Sequence, residues 1–500
     1  MRIQVPDSAK NWISVSGVMI AIVSLFLILF LFIISSLIEA RATYLGMITF
    51  ILLPGLLVLG LILIPVGMLI THKRKRSLQA PWPKIDLNLA AHRHAVFLFI
   101  GGTAIFILLT GVGSYQAFRI TESVEFCGQL CHSVMHPEYT AYQQSPHARV
   151  ACVQCHVGEG ADWYVRSKLS GLYQVYSVTF KLYPKPIPTP IHNLRPARET
   201  CERCHWPQKF FAQKLRTEYH YLPDENNTRW RIQLIMKIGA EHSALGLQKG
   251  IHWHINPDIR VEYIASDEKR QEIPWVRMTN LKTGKVTIFQ DEENPISQND
   301  IQKAKIRTMD CMDCHNRPSH QYKTPSYFIN EAIAANDIPQ SLPEVKAQAI
   351  DICDQAKDFS TMDSALAFID SSMNAYYSEN YPDLVKTKPE LISRAVQGIK
   401  KHFSKNIFPD MRVKWSAYPS HIGHTEFNGC FRCHNDQHKS EQGQVISKDC
   451  NLCHLISMQG KDGAMEYARA GQGLPFKHPV DIDEEWKTSL CTDCHTGLAP

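Results

Sequence analysis

The sequence predicts a membrane-anchored protein, with three N-terminal transmembrane helices followed by a mostly helical and loop-rich extracytoplasmic region that contains a β-rich insertion. Three observations predict this class: three long apolar runs, a Cys/His motif repeated along the rest of the chain, and alternating apolar and polar residues within 211–305. The 500 residues are 44% hydrophobic and 20% charged, with a net charge of only +5. These values argue against a disordered chain and against a dedicated nucleic-acid binder.

Each apolar run is long enough to cross a bilayer, and the runs cover residues 17–38, 44–70 and 95–118. A cleaved signal peptide is the alternative for the first run, but no clear small-x-small site follows it and a second apolar run comes soon after. The loop after the second run is basic, with Lys73, Arg74, Lys75, Arg76, Lys84 and Arg93. The positive-inside rule therefore predicts a cytoplasmic N-terminus and places the chain beyond residue 118 in the periplasm of a two-membrane bacterium.

The cysteines follow one repeated pattern. Of the 15 cysteines, 14 belong to seven motifs in which a histidine follows the second cysteine, and the first motif has one extra residue between its cysteines. The motifs are Cys127/Cys131/His132, Cys152/Cys155/His156, Cys201/Cys204/His205, Cys311/Cys314/His315, Cys430/Cys433/His434, Cys450/Cys453/His454 and Cys491/Cys494/His495.

This spacing suits the covalent attachment of haem, because two thiols add to the haem vinyl groups and the adjacent histidine binds the iron. Zinc sites and disulfides are the alternatives, but neither explains a histidine after every second cysteine. The sequence thus predicts a multihaem cytochrome c with seven covalently bound haem c groups. The remaining Cys353 is expected to be a small buried hydrophobe.

The spacing of the motifs divides the chain into five predicted regions. They are a membrane anchor (1–120), a region with haems 1–3 (121–210), the β-rich insertion (211–305), a region with haem 4 and a helical segment (306–410), and a C-terminal region with haems 5–7 (411–500). Alternation in 230–238 and 285–289 predicts strands in the insertion. Helical periodicity in 344–352 and 391–399 predicts amphipathic helices.

Seven haems require further axial ligands, and the other histidines are the first candidates. The better candidates lie close to motifs in polar loops: His147, His192, His320, His424, His438 and His478. Histidines with a weaker case are His136, His220, His242, His252, His254, His402 and His421. His252 and His254 alternate with Trp253, which on a strand would turn both histidines to one side.

The first motif follows the third apolar run after only nine residues. At about 1.5 Å per helical residue, its haem is expected within roughly 15 Å of the membrane surface, where a lipid-soluble reductant can reach it. Met135 lies three residues beyond His132 and could offer a thioether to the same iron, with simple packing as the alternative.

Residues 127–205 resemble the NapC/NirT/NrfH family of membrane-anchored quinol dehydrogenases. The resemblance rests on the first motif followed by Met135, then Ser-Pro-His at 145–147, the second motif and Lys168. It implies a methionine ligand to the first haem, and a quinol pocket with a lysine and a proton-accepting carboxylate. Met135 and Lys168 match the family pattern, whereas Gln174 and Val175 stand where it has an aspartate. Glu138, Glu159 and Asp162 are the candidate substitutes.

Three spans and seven motifs exceed the one span and four haems of the family's core members, and this layout is similar to the ImcH-type inner-membrane cytochromes of metal-respiring bacteria. The resemblance implies a quinol:cytochrome c oxidoreductase of anaerobic respiration. Such an enzyme takes electrons from the membrane quinol pool, menaquinol above all, and passes them to periplasmic c-type cytochromes and toward extracellular metal acceptors. The expected exit is a C-terminal haem at His434, His454 or His495.

Two other functions stay open at this point. One is a redox anchor subunit that connects a partner enzyme to the membrane without binding quinol. The other is a terminal reductase of nitrite or another small oxyanion at a haem with an open coordination site. A homo-oligomer is also compatible with the sequence.

Overall fold

The structure is a computed structural model that describes residues 9–37, 52–75, 86–130, 132–157, 160–190, 196–207, 210–239 and 250–499. The chain divides into two compact units. The first contains residues 1–136 and 151–153, and the second contains residues 137–150 and 154–500.

The first unit contains the three predicted apolar helices. They are α1 (Trp12–Leu37), α2 (Leu53–Lys75) and α3 (Ala90–Thr121), and a short π-helix follows at Phe126–Leu130. Within them, Trp12–Leu31, Leu53–Thr71 and Ile100–Thr121 are long and apolar enough to cross a membrane. The prediction of three spans is therefore confirmed. Most of the basic loop, residues 76–85, lies outside the described residues.

Small residues bring α1 and α2 into close contact. A Cβ atom on Gly17 would lie 2.6 Å from the Gly60 carbonyl oxygen, and one on Gly60 would lie 2.7 Å from the Gly17 carbonyl oxygen. The Ser14 hydroxyl donates a hydrogen bond of 2.9 Å to the Ile64 carbonyl oxygen. In a bilayer the lipid is as apolar as the helices, so the hydrophobic effect does not drive helix association. Close packing of small residues and interhelical hydrogen bonds hold the helices together instead.

Helices and short turns make up most of the rest of the chain. The α-helices are α4 (His132–Gln143), α5 (Cys152–His156), α6 (Ala161–Thr179), α7 (Ala197–Cys201), α8 (Gln298–Lys303), α9 (Cys311–Cys314), α10 (Pro325–Ala334), α11 (Val345–Ala356), α12 (Met362–Asn380), α13 (Pro382–Thr387), α14 (Pro389–Asn406) and α15 (Cys491–Cys494). The 3₁₀ helices are Ile251–Ile255, Pro409–Met411, Trp415–Ala417, Gly429–Arg432, Cys450–Leu452 and Glu485–Lys487.

The main hydrophobic core of the second unit lies among α10, α11, α12 and α14. Phe328, Ile369 and Phe403 are fully buried there. Thr324 and Thr361 cap α10 and α12 by accepting hydrogen bonds from backbone N–H groups of the first turn. Cys353 on α11 is fully buried in the same core, as predicted for a small hydrophobe.

Two antiparallel sheets confirm a β-rich region. The strands are β1 (Gln213–Tyr221), β2 (Arg229–Lys237), β3 (Ile259–Ile264), β4 (Trp275–Asn280), β5 (Val286–Asp291), β6 (Arg307–Thr308), β7 (His438–Ser440), β8 (His454–Lys461) and β9 (Ala464–Tyr467). Their orders are β1-β2-β8-β9 and β6-β3-β4-β5-β7.

The predicted insertion is not a separate sheet structure. In the first sheet Trp230 pairs with Lys461, and in the second Phe289 pairs with Ser440. The region 211–305 therefore shares both sheets with strands of the C-terminal region. The physical reason is that β2 and β5 would otherwise expose rows of unpaired backbone N–H and C=O groups.

Candidate haem sites

A single backbone turn holds together the groups of the motifs that the structure describes in full. In the third motif, the His205 backbone N–H donates a hydrogen bond of 2.8 Å to the Cys201 carbonyl oxygen, and the Cys204 N–H lies 3.2 Å from the same oxygen. In the second motif, Cys155 lies on the one-turn helix α5 (Cys152–His156). Such a turn keeps two thiols and one imidazole within reach of a single haem.

The motif cysteines differ in how far the polypeptide covers them. Four that are predicted to attach haem are exposed: Cys155, Cys204, Cys450 and Cys494. Their exposure differs from the burial that is usual for residues of a cofactor site. The physical reason is that a haem joined to two thioethers lies over its own cysteines, so the polypeptide need not cover them. Haem attachment at these four positions stays a prediction from the motif.

Six of the seven motif histidines lie beside a second histidine. The ring centres of each pair are between 5.9 and 6.4 Å apart. The pairs are His156 with His320, His205 with His147, His315 with His252, His434 with His254, His454 with His424, and His495 with His478.

This separation can be compared with the geometry of one metal ion between two imidazoles. A metal–imidazole bond is about 2 Å long and a ring nitrogen lies about 1.1 Å from its ring centre, so two opposed rings have centres roughly 6 Å apart. All six pairs match that value. The residues present therefore fit a haem iron with two histidine ligands.

Hydrogen bonds orient five of the partner histidines in the same way. Their Nδ1 atoms lie 2.8 to 3.3 Å from backbone carbonyl oxygens. The contacts are His147 with Pro318, His252 with Ile238, His254 with Ile251, His320 with Glu138 and His478 with Val480. When Nδ1–H donates to a carbonyl, the lone pair is on Nε2, which is the tautomer that a metal ligand needs. The Nδ1 atom of the sixth partner, His424, lies 3.8 Å from the Cys491 sulfur.

Burial favours the neutral form of three of these rings. Desolvation lowers the pKa of His424 to about 4 and also lowers the pKa values of His254 and His320. A neutral imidazole is the form that binds iron, so the environment favours ligation over protonation.

Four of the better sequence candidates, His147, His320, His424 and His478, are among these partners. His438 lies elsewhere, on β7, where its ring is buried. Its Nε2 lies 2.7 Å from the Ile273 carbonyl oxygen and its Nδ1 lies 2.9 Å from the Asn435 side-chain oxygen. Because both ring nitrogens already have hydrogen-bond partners, this histidine stabilises the sheet. His192 and His242 lie outside the described residues.

His252 and His254 are the partners that sequence reasoning undervalued. They lie in the 3₁₀ helix Ile251–Ile255 instead of a strand. Residues two apart in a 3₁₀ helix point in different directions, since each residue turns by about 120°. The two rings accordingly meet different motif histidines, His315 and His434. In the sequence, the feature that could have indicated these two histidines as ligands is their close spacing on either side of Trp253.

The first motif is described only in part, because Cys131 lies outside the described residues. A hydrogen bond from Cys127 lowers the pKa of the Cys152 thiol to about 7, so these two cysteines lie close together within the first unit. Position 132 begins α4, and the half-buried Met135 follows three residues later, just under one helical turn. Positions three apart lie on the same face of a helix.

Glu138 has two partners that define its surroundings. Its carboxylate lies 3.2 Å from the Arg317 guanidinium and 3.1 Å from His320 Nδ1. The guanidinium of Arg317 also lies 4.1 Å from the centre of the Tyr418 ring. The structure therefore connects Glu138 to a partner histidine through a largely buried ion pair. Such carboxylates orient metal-binding histidines.

The other quinol-site candidates lie on α6. The Lys168 ammonium is 4.9 Å from the centre of the Tyr164 ring. Asp162 occupies the first turn, where a carboxylate stabilises the helix N-terminus. Six residues separate Asp162 from Lys168, so the two positions lie about 120° apart around the helix rather than on one face. Glu159 lies outside the described residues.

A buried aspartate connects the fourth and fifth motifs. The Asp313 carboxylate is 1% exposed and accepts hydrogen bonds from Tyr263 (2.6 Å), Arg270 (3.1 Å) and Arg307 (2.5 Å). The Asp313 carbonyl oxygen accepts a hydrogen bond of 2.8 Å from Arg432, which lies inside the fifth motif. Burial and the neighbouring carboxylate raise the pKa of Tyr263, which keeps its hydroxyl a donor.

Repeated Cys-Cys-His motifs, paired histidines and three apolar helices together define a membrane-anchored multihaem cytochrome c. Comparison with known proteins agrees with this class. Residues 89–186 match the N-terminal region of the NapC/NirT cytochrome c family. The chain is 42% identical over 494 residues to the cytochrome c-type protein ImcH of Geobacter sulfurreducens, an alignment that covers 98% of this chain and 96% of that protein.

The chain therefore belongs to the NapC/NirT cytochrome c family and, within it, groups with ImcH. No solved structure matches it.

Proposed function

We propose that this cytochrome is an inner-membrane quinol dehydrogenase that carries seven haem c groups. It oxidises menaquinol close to the first motif and passes electrons to periplasmic c-type cytochromes. The six histidine pairs carry this proposal, because they provide two-ligand sites that suit electron transfer rather than substrate binding. The haems, when bound, supply one-electron carriers, so the two electrons of a quinol leave one at a time.

Each group of side chains has a separate task in this proposal. The motif cysteines fix the haems, and the six histidine pairs ligate haems 2 to 7. Met135 is the proposed ligand residue of the first haem, as the family resemblance implies. Lys168 is the proposed donor to a quinol oxygen, and Asp162 remains a candidate to take a quinol proton. For Glu138, we propose that it orients His320 instead, because its carboxylate already contacts that ring and Arg317.

The proposed orientation has the N-terminus in the cytoplasm and the haem regions in the periplasm. It rests on the excess of basic residues between the second and third spans. The terminal-reductase alternative requires a haem with one open position. It receives little support, because six motif histidines already face a second histidine. The redox-anchor alternative differs from quinol oxidation in one testable respect, because a redox anchor is not reduced directly by quinol.

The decisive experiment mixes the purified full-length protein rapidly with a menaquinol analogue and follows haem absorbance. We expect fast reduction that a quinol-site inhibitor blocks and that slows about tenfold or more in Lys168→Ala, because a positioned donor to the reacting oxygen is lost. The matched control is Lys214→Ala, which removes an exposed lysine on β1 and should leave the rate unchanged.

Two results would contradict the proposal in different ways. Reduction by dithionite but never by quinol would favour the redox anchor. Quinol-driven reduction that is equally fast in Lys168→Ala would retain quinol oxidation but remove Lys168 from its site.

The number of haems gives a separate prediction. The double variant Cys450→Ser/Cys453→Ser is expected to lose one haem of seven, because both thioether bonds of that haem disappear. The haem-to-protein ratio and the intact mass measure the loss. Cys353→Ala is the control, since Cys353 is buried in the helical core and belongs to no motif; it should keep all seven haems. A mass that differs from that of the wild-type protein only by the two substitutions, with no haem lost, would exclude attachment at this motif.

A further inference from the structure

Helix α6 shows the reverse of the pattern expected for a helix on a water-exposed surface. Six large apolar side chains that share one face are between 52% and 69% exposed. They are Val165, Leu169, Leu172, Tyr173, Tyr176 and Phe180. At about 100° per residue, these positions fall within an arc of roughly 100°.

The opposite face of α6 is less exposed, and its half-buried residues include Trp163, Tyr164 and Val178 as well as small polar residues. Ser167, Ser170 and Gly171 are half-buried there, and Ser177 is buried. A helix in water buries its apolar face against the core, so this arrangement indicates that the outward face meets an apolar environment instead.

Charge distinguishes between the possible occupants of that face. Arg166, Lys168 and Lys181 accompany the apolar residues, and residues 170–182 contain no acidic side chain. Pairing of two copies of this helix would bring together two segments that each carry these three cations and only one carboxylate, that of Asp162, and like net charges repel. Anionic lipid headgroups complement the same cations, and Tyr173 and Tyr176 suit the boundary between headgroups and acyl chains.

We infer that α6 lies in the plane of the membrane surface, with its apolar face in the acyl-chain boundary of an anionic bilayer. The chain is already anchored by α1, α2 and α3, so α6 adds a second kind of contact. This helix is not among the candidate spans of the described residues, which agrees with a helix that lies on the membrane without crossing it. The inference does not depend on quinol oxidation.

Photolabelling of the haem-loaded, full-length protein tests the inference. The protein is placed in nanodiscs that contain phosphatidylglycerol with a diazirine on its acyl chain, irradiated, and mapped by peptide mass spectrometry. We expect the α6 peptide to be labelled at least about fivefold more than the α12 peptide, and similarly to the α3 peptide. In Leu169→Gln/Leu172→Gln, label on α6 should fall several-fold while label on α3 stays constant.

A control variant and two contrary results complete the design. Ile288→Gln changes an exposed apolar residue on β5 and should leave α6 labelling unchanged. Haem content and the absorbance spectrum verify that each variant is folded.

Labelling of α6 no greater than that of α12 would overturn the inference. Crosslinks between α6 peptides of two copies, without lipid label, would overturn it in favour of a dimer. The rate of haem reduction by the menaquinol analogue is measured on the same samples, so failure of the membrane contact and failure of quinol oxidation are distinguished.

Discussion

His254→Met is expected to raise the potential of one haem by on the order of 100 mV. Methionine is a weaker donor to ferric iron than histidine, and axial ligands set haem potentials over a range of about 0.8 V. The His254 ring lies 5.9 Å from that of His434, and its Nδ1 is 2.8 Å from the Ile251 carbonyl oxygen. Spectroelectrochemical titration measures the shift, and magnetic circular dichroism identifies the new methionine ligand.

The control for this variant is a histidine that has a different partner. His402 Nε2 lies 2.8 Å from the Asp337 carboxylate on another part of the molecule, so His402→Gln should leave every haem potential unchanged. His252→Met provides a second test of the same kind at His315. If both methionine variants keep their full haem content and identical potentials, the proposed ligand pairs are wrong.

Asp313→Asn is expected to destabilise the second unit by about 3 kcal/mol, because it leaves two guanidinium groups without their shared buried carboxylate. Arg270 and Arg307 both donate to one oxygen of Asp313, and their side chains are 21% and 32% exposed. Water can therefore solvate both guanidinium groups in part after the carboxylate is removed. For this reason the expected loss of stability lies at the lower end of the range for a broken buried ion pair. Thermal unfolding should shift down by about 5 °C.

Asp383→Asn is the matched control. Its carboxylate is 97% exposed and lies 3.7 Å from Lys386, so its removal should leave the unfolding midpoint unchanged. Equal midpoints for Asp313→Asn and the wild-type protein would show that the carboxylate contributes nothing net to stability.

The local features of this protein were predictable, and the reason is physical. A Cys-Cys-His motif holds three groups within five residues, and an apolar run satisfies its own backbone hydrogen bonds inside a membrane. Both signals are complete within a short stretch of sequence. The three spans, the strands of the 211–305 region and the helices between 325 and 406 were therefore recognisable before any coordinates.

The pairing of histidines was only partly predictable, because it depends on residues far apart in the chain. His254 precedes His434 by 180 residues, and its direction is set by a single 3₁₀ turn rather than by a strand. His438 shows the opposite case, in which a promising local context is overruled by hydrogen bonds to Ile273 and Asn435.

The shared sheets also bear on how the protein is made. During synthesis, β2 and β5 emerge long before β7 and β8, which are the strands that complete their sheets. Until then, both strands have a free edge that is open to wrong partners. A nascent chain stalled before residue 438 would thus be vulnerable to aggregation and proteolysis. Final assembly of the sheets must therefore wait for the C-terminal segment that also carries the last two haem motifs.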